Sequence, residues 1–164
     1  MQESVVEGVA ALIRRRAPDL DFLEIGWFGG EPLAAFDIIK EISDVAIDCG
    51  ANSRFAFLGN ISTNAHLLDV SKLEYLLGTG TKIFQITLDG TQRFHDQARV
   101  TSAGKGTFLL IWKRLQMLKS HPGEFEIIVR VHLCPGNVED VRELQRMLDT
   151  EFGEDGRFKF HYLF

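Results

Sequence analysis

The sequence predicts an α/β fold built on a parallel sheet, with strands that favour a curved wall facing a wet cavity. Three observations lead there. Strand-like and helix-like segments alternate along the 164 residues. Each pair of successive strands is separated by a helical crossover, the connection that parallel strands require. Several strands also carry polar residues at every second position near their C-terminal ends, whereas a strand covered by helices on both faces reads apolar throughout.

The elements follow in order. Ser4-x-x-Glu7 reads as a capping box opening a first helix, with Val5, Val9, Leu12 and Ile13 at helical spacing. Residues 21–28 form a strand broken by Gly29, Gly30 and Pro32. A second helix carries Ala35, Ile38, Ile39, Ile42, Val45 and Ala46 and ends near Gly50. Residues 54–63 form a strand, and Asp69 caps a short helix stopped by Gly78 and Gly80. Residues 82–90 are the next strand, and residues 91–106 read as a polar, glycine-containing loop. Phe108, Ile111, Leu115 and Leu118 mark a helix ended by His121-Pro122-Gly123. Residues 126–133 are a strand, Asn137 is an N-cap for the helix bearing Val138, Val141, Leu144, Leu148 and Phe152, and residues 157–164 are a last strand.

Alternation of this kind fits an open doubly wound sheet or part of a β/α barrel. The strand parities favour the barrel. Asn60, Ser62 and Asn64 share one parity, as do Gln85, Thr87 and Asp89, and Arg130 and His132. The other parity is apolar, with Ile61, then Phe84, Ile86 and Leu88, then Val129, Val131 and Leu133. Five strands are visible. The chain opens on a helix without a preceding strand and closes on a strand, so both ends read as cut.

Composition narrows the function. The net charge is −5, which argues against a nucleic-acid binder. Arg14-Arg15-Arg16 reads as a solvated helix end. No apolar stretch approaches a membrane span and no signal peptide follows Met1, so a cytoplasmic protein without membrane association is expected. Cys49 and Cys134 have no metal spacing and read as two buried thiols in a reducing compartment. Trp27 and Trp112 read as core.

The chemistry-bearing segments are Trp27-Phe28-Gly29-Gly30-Glu31-Pro32-Leu33, Ser62-Thr63-Asn64, Thr87-Leu88-Asp89-Gly90, His95-Asp96-x-x-Arg99 and Gly104-Lys105-Gly106-Thr107-Phe108. Glycines at the C-terminal end of a parallel strand let backbone approach a ligand, and ligands of such folds bind at that end. In this order the segments closely resemble radical S-adenosylmethionine (SAM) enzymes of the SPASM-associated type, such as anaerobic sulfatase maturases and peptide maturases. The resemblance runs from the second strand to the sixth.

That resemblance implies a partial (β/α)6 TIM-like barrel, truncated at the N-terminus and after the sixth strand, with residues 1–164 as one fragment of the radical SAM core. It implies SAM across the strand ends, its amino group at Gly29, Gly30 and Glu31, with Thr87 and Asp89 helping to hold the cofactor. Arg99 is the implied partner of the methionine carboxylate, and Asn64 remains where the family often reads Thr-Asn-Gly, although Ala65 replaces the glycine. Arg130 and His132 are candidate substrate-binding residues of the lumen. His95-Asp96 reads as a loop-ordering hydrogen-bonded pair. Lys159 and His161 share a parity of the last strand without an assigned role. The implied activity is generation of a 5′-deoxyadenosyl radical to modify a peptide or protein substrate. It requires a 4Fe-4S cluster held by C-x3-C-x2-C, and two distant cysteines cannot supply that motif. The fragment is therefore expected to be inactive and, with strand edges open, to self-associate. The alternative is a cluster-less relative that only binds peptide.

Overall fold

The computed structural model describes residues 2–163. Five strands form one sheet in consecutive order, every neighbouring pair parallel. They are β1 (Phe22–Trp27), β2 (Ala56–Thr63), β3 (Thr81–Thr87), β4 (Glu126–His132) and β5 (Phe158–Leu163). Phe164, read as the last residue of the final strand, lies outside the described residues. Consecutive order leaves no point at which the strand sequence reverses, the switch point that defines a doubly wound sheet.

The helices are α1 (Glu3–Arg16), α2 (Phe36–Ser53), α3 (Val70–Gly78), α4 (Gln92–Ala98), α5 (Phe108–Ser120) and α6 (Val138–Phe152). One register row explains how the sheet holds them. Trp27, Ile61, Phe84, Ile127 and Phe158 are successive partners across the five strands, and all are buried. Two residues further along, Ile86 and Val129 repeat the pattern. Together with Ile39, Leu73, Leu76, Leu115, Leu144 and Leu148 from the helices, these side chains make one core. The opposite parity, including Asn60, Ser62, Gln85, Thr87 and Arg130, is only partly buried. The sheet therefore has one dry face and one polar face, as its alternation requires.

Several local expectations are corrected. The first helix is capped at Gln2 without a side-chain bond, so Ser4 lies inside the helix and no capping box forms. Its buried stripe is Val6, Ala10 and Ile13, while Val5 and Leu12 are exposed. The stripe needed to reach the core runs i, i+4, i+7, and Val6 begins it where Val5 does not. Residues 91–106 are not all loop, since α4 occupies Gln92–Ala98. That helix is seven residues long and buries only His95, too little for an apolar period to register. Pro32 opens a 3-10 turn, Pro32–Ala35, ahead of α2. Cys49 is half-buried and Cys134 exposed, not two buried thiols. Trp27 is buried and Trp112 is partly buried against the core. No described helix is long and apolar enough to cross a membrane.

Candidate functional site at the strand ends

The loop after β1 is organised by Glu31. Its Oε1 accepts from Leu33 N at 2.9 Å and from Thr63 Oγ1 at 2.7 Å, and its Oε2 accepts from Asn64 N at 2.8 Å. The first bond caps the 3-10 turn; the other two fasten the loop to the end of β2. Thr63 Oγ1 in turn accepts from Ala65 N at 3.0 Å. Oε2 therefore keeps acceptor capacity after its protein contact.

Ala65 sits at φ 58, the left-handed region, and is fully buried. A glycine would take this conformation freely, whereas an L-residue pays about 1–2 kcal/mol. The structure thus gives the Thr63-Asn64-Ala65 turn a conformational reason for glycine, although this chain uses alanine.

Gly29 has φ 146, a backbone state that side chains rarely adopt. Gly30 has no such constraint, and a Cβ there would meet no atom within 4 Å. The space beside Gly30 opens into a cavity of about 170 Å³ lined by Gly29, Gly30, Asn64, Thr87, Arg99 and Arg130, among others. A second cavity, of about 500 Å³, shares Asn64, Thr87 and Arg99 and adds Glu31, with Leu67, Val100 and Ile111 as apolar lining. Of the candidate cofactor residues, Gly29, Gly30, Glu31, Asn64, Thr87 and Arg99 thus meet around two adjoining spaces.

Asp89 lines neither cavity and stands behind them. Its Oδ2 pairs with Arg99 Nε, and its Oδ1 lies 2.8 Å from His132 Nδ1. Burial acts most strongly on its carboxyl and pushes the pKa up; hydrogen bonds from Arg99 and His132 outweigh burial and hold it below its ordinary value. The terminal nitrogens of Arg99 make no protein hydrogen bond among the described residues. Asn137 joins the two strand ends, donating to Asp89 O at 3.1 Å and His132 O at 2.8 Å, while its Oδ1 accepts from Cys134 N at 2.7 Å. It occupies the N-cap position of α6, but its side chain makes no cap bond.

His95 and Asp96 order the loop separately and not as a pair. His95 Nδ1 accepts from Asp89 N at 3.2 Å, which leaves Nε2 to donate to Thr107 Oγ1 at 3.0 Å. Thr107 Oγ1 then donates to Arg99 O at 2.9 Å. Asp96 accepts from Phe108 N at 2.9 Å, holding the first turn of α5. A Cβ on Gly106 would collide with the Asp96 carboxylate, so the glycine leaves room for that carboxylate to reach Phe108 N. The two motifs 95–99 and 104–108 thereby form one scaffold that presents Arg99.

Asp140, absent from the candidate set, anchors the same end. It is buried and accepts from Thr91 N at 2.6 Å and Thr91 Oγ1 at 2.8 Å. The pairing spans 49 residues, so no local pattern could have announced it. Thr63 and Thr107 lie within the segments 62–64 and 104–108 that the sequence marks out, but nothing local identifies their hydroxyls as the organisers.

The arrangement suits a small polar ligand bearing both charges. Carbonyls and a carboxylate offer acceptors for an ammonium, Thr87 offers a hydroxyl, and Arg99 offers a fork for a carboxylate. The residues present therefore fit SAM. They do not fit an iron–sulfur cluster, because two cysteines, on α2 and after β4, cannot provide three thiolates.

No family model matches the chain. Solved structures do. Native anSMEcpe with bound AdoMet and Kp18Cys peptide aligns with a TM-score of 0.79 at 16% identity, covering 100% of this chain and 43% of that one. A polyhistidine-tagged anSMEcpe with bound AdoMet aligns with a TM-score of 0.80 at 15% identity, covering 100% and 43%. The chain therefore spans less than half the length of the proteins it matches. At such identity the likeness is one of fold, and the fold of this chain is similar to that of anSMEcpe, an anaerobic sulfatase-maturing enzyme of the radical SAM, SPASM type.

Proposed function

We propose that this chain is part of a radical SAM core, a wall of a partial (β/α)6 barrel that binds SAM at its C-terminal strand ends and modifies a peptide or protein. The observation that carries the reading is the meeting of Gly29, Gly30, Asn64, Thr87 and Arg99 around one cavity. The anSMEcpe structures with bound AdoMet and peptide support the cofactor and the substrate class.

In this reading Gly29 and Gly30 present backbone carbonyls to the methionine ammonium, and Glu31 adds the free capacity of Oε2. Thr87 donates its hydroxyl. Arg99, held at Nε by Asp89, offers its terminal nitrogens to the methionine carboxylate. SAM, when bound and given one electron by an iron–sulfur cluster that this chain does not itself hold, would supply hydrogen-atom abstraction; the residues of this chain would supply orientation and exclusion of water. The chain by itself is expected to hold no four-iron cluster and to be inactive.

Calorimetric titration of the purified chain with SAM tests the reading. Saturable binding is expected, weakened about tenfold or more by Arg99→Gln, since a charge-assisted pair is worth roughly 1.5–3 kcal/mol. No heat and no amide shifts at residues 29–31 with millimolar SAM would sink it. The count of two cysteines supports a second reading, a cluster-less module that only binds peptide. The reading frame upstream of the Met1 codon discriminates: continuation into C-x3-C-x2-C selects the enzyme.

A further inference from the structure

The polar face of β4 and β5 carries charge that the SAM site does not use. Ile127, Val129 and Val131 are fully buried, so Glu126, Ile128, Arg130 and His132 lie on the opposite face. On β5, Phe158 is buried and Lys159 and His161 are exposed on that same open face. The register brings these residues together. Thr87, Arg130 and His161 are successive partners across β3, β4 and β5, and Lys159 partners Ile128 one step earlier. Neighbouring strands lie about 5 Å apart, so the three cationic or protonatable side chains lie within reach of one short segment of ligand.

No carboxylate balances them. The side chains of Arg130, Lys159 and His161 have no ion-pair or hydrogen-bond partner among the described residues. Of the acidic groups at this end of the sheet, Asp89 is taken by Arg99 and His132, Glu31 is bound by Leu33, Thr63 and Asn64, and Asp140 by Thr91. Glu126 lies on the same face at the first rung of β4, one rung before the Ile128–Lys159 pair and two before Arg130–His161, and forms an ion pair with none of the three. Arg130 and His161 thus face each other across β4 and β5 with no carboxylate between them, in a chain whose net charge is −5. Lys159 alone would be an ordinary solvated cation. Arg130 is different, because it is half-buried, lines the cavity with Gly29, Gly30 and Arg99, and lacks an acceptor. A guanidinium in that setting gains most from a bidentate carboxylate.

We infer that Arg130, Lys159 and His161 form an anion-recognising surface that takes a carboxylate-bearing segment of the substrate, an acidic peptide. The inference rests on the proposed SAM-dependent reading for the identity of the ligand as substrate, and deepens it by naming the substrate's charge.

The test uses the whole chain and two probes, acetyl-Gly-Glu-Gly-Glu-Gly-amide and its Gln counterpart, followed by amide and Arg Nε–H shifts. The Glu peptide is expected to shift residues 128–132 and 159–161 saturably, and the Gln peptide to bind about fivefold or more weakly, the size of one ion pair. Arg130→Gln and the exposed Lys159→Glu should each weaken the Glu peptide about fivefold, and Lys159→Glu should leave SAM affinity unchanged. Equal binding of both peptides overturns the inference. So does a loss of SAM affinity in Arg130→Gln with peptide binding intact, which would make Arg130 a cofactor residue. SAM binding without acidic-peptide binding defeats this inference and leaves the SAM reading standing. Acidic-peptide binding at these residues without SAM binding does the reverse.

Discussion

The Thr63 hydroxyl, at the last residue of β2, donates a 2.7 Å hydrogen bond to the Glu31 carboxylate in the loop after β1. One carboxylate thus caps a turn and locks two strand ends together. Glu31→Gln keeps one carbonyl oxygen but turns an NH2 toward a donor. We expect a loss of about 1–2 kcal/mol, read as a lower urea midpoint at unchanged slope. An unchanged midpoint would show that the tie is idle.

Asp89 should govern part of the acid stability. Its folded pKa lies below the ordinary value because Arg99 and His132 overcome the effect of burial. The stabilisation is therefore present above the unfolded pKa, near pH 4, and is lost as pH falls through the lower folded value. Asp89→Asn should flatten the stability curve below about pH 4. It should also broaden the Arg99 Nε–H resonance by freeing the guanidinium. A wild-type slope retained in the variant would assign the acid limb elsewhere.

His95 adds to the loss of stability on acidification, at a higher pH. Burial, the largest influence, pushes its pKa below the ordinary value, against the nearby charges of Asp89 and Asp96. The unfolded chain takes up the proton first, so stability falls as pH drops through about 6.5, by at most about 1.4 kcal/mol per pH unit from this residue. His95→Ala should remove that limb and cost about 2–4 kcal/mol at neutral pH through its lost bonds and packing. Nitrogen shifts should show Nδ1 without a proton at neutral pH.

Gly106 and Asp96 should behave as a coupled pair. Gly106→Ala places a methyl against the Asp96 carboxylate and should destabilise by about 1–3 kcal/mol. In an Asp96→Ala background, where that carboxylate is gone, the same change should cost under about 1 kcal/mol. Simple additivity in the cycle would mean that the close approach relaxes without consequence.

Much of the fold is readable from periodicity alone. Alternation at Gln85, Thr87 and Asp89 against Phe84, Ile86 and Leu88 separates a polar face from a dry one, and the dry residues are fully buried. Asp69 caps its helix as expected, its Oδ1 accepting from Lys72 N at 2.8 Å. Where the local signal is short or spread over one residue, reading fails. The helix Gln92–Ala98 buries a single side chain, and the stripe of α1 begins at Val6, not Val5.

By itself the sequence determined the alternation of strands and helices, the parity of the polar face, and the order of the strand-end motifs. These are local properties, carried by periods of two or about four residues and by turn chemistry. The tertiary structure decided which polar atoms meet. Glu31 finds Thr63, Asp89 finds His132, Asp140 finds Thr91, and His95 finds Thr107 instead of its neighbour Asp96. A buried donor must find an acceptor wherever the packed chain offers one. That partner is set by which segments the core brings side by side, not by distance along the chain.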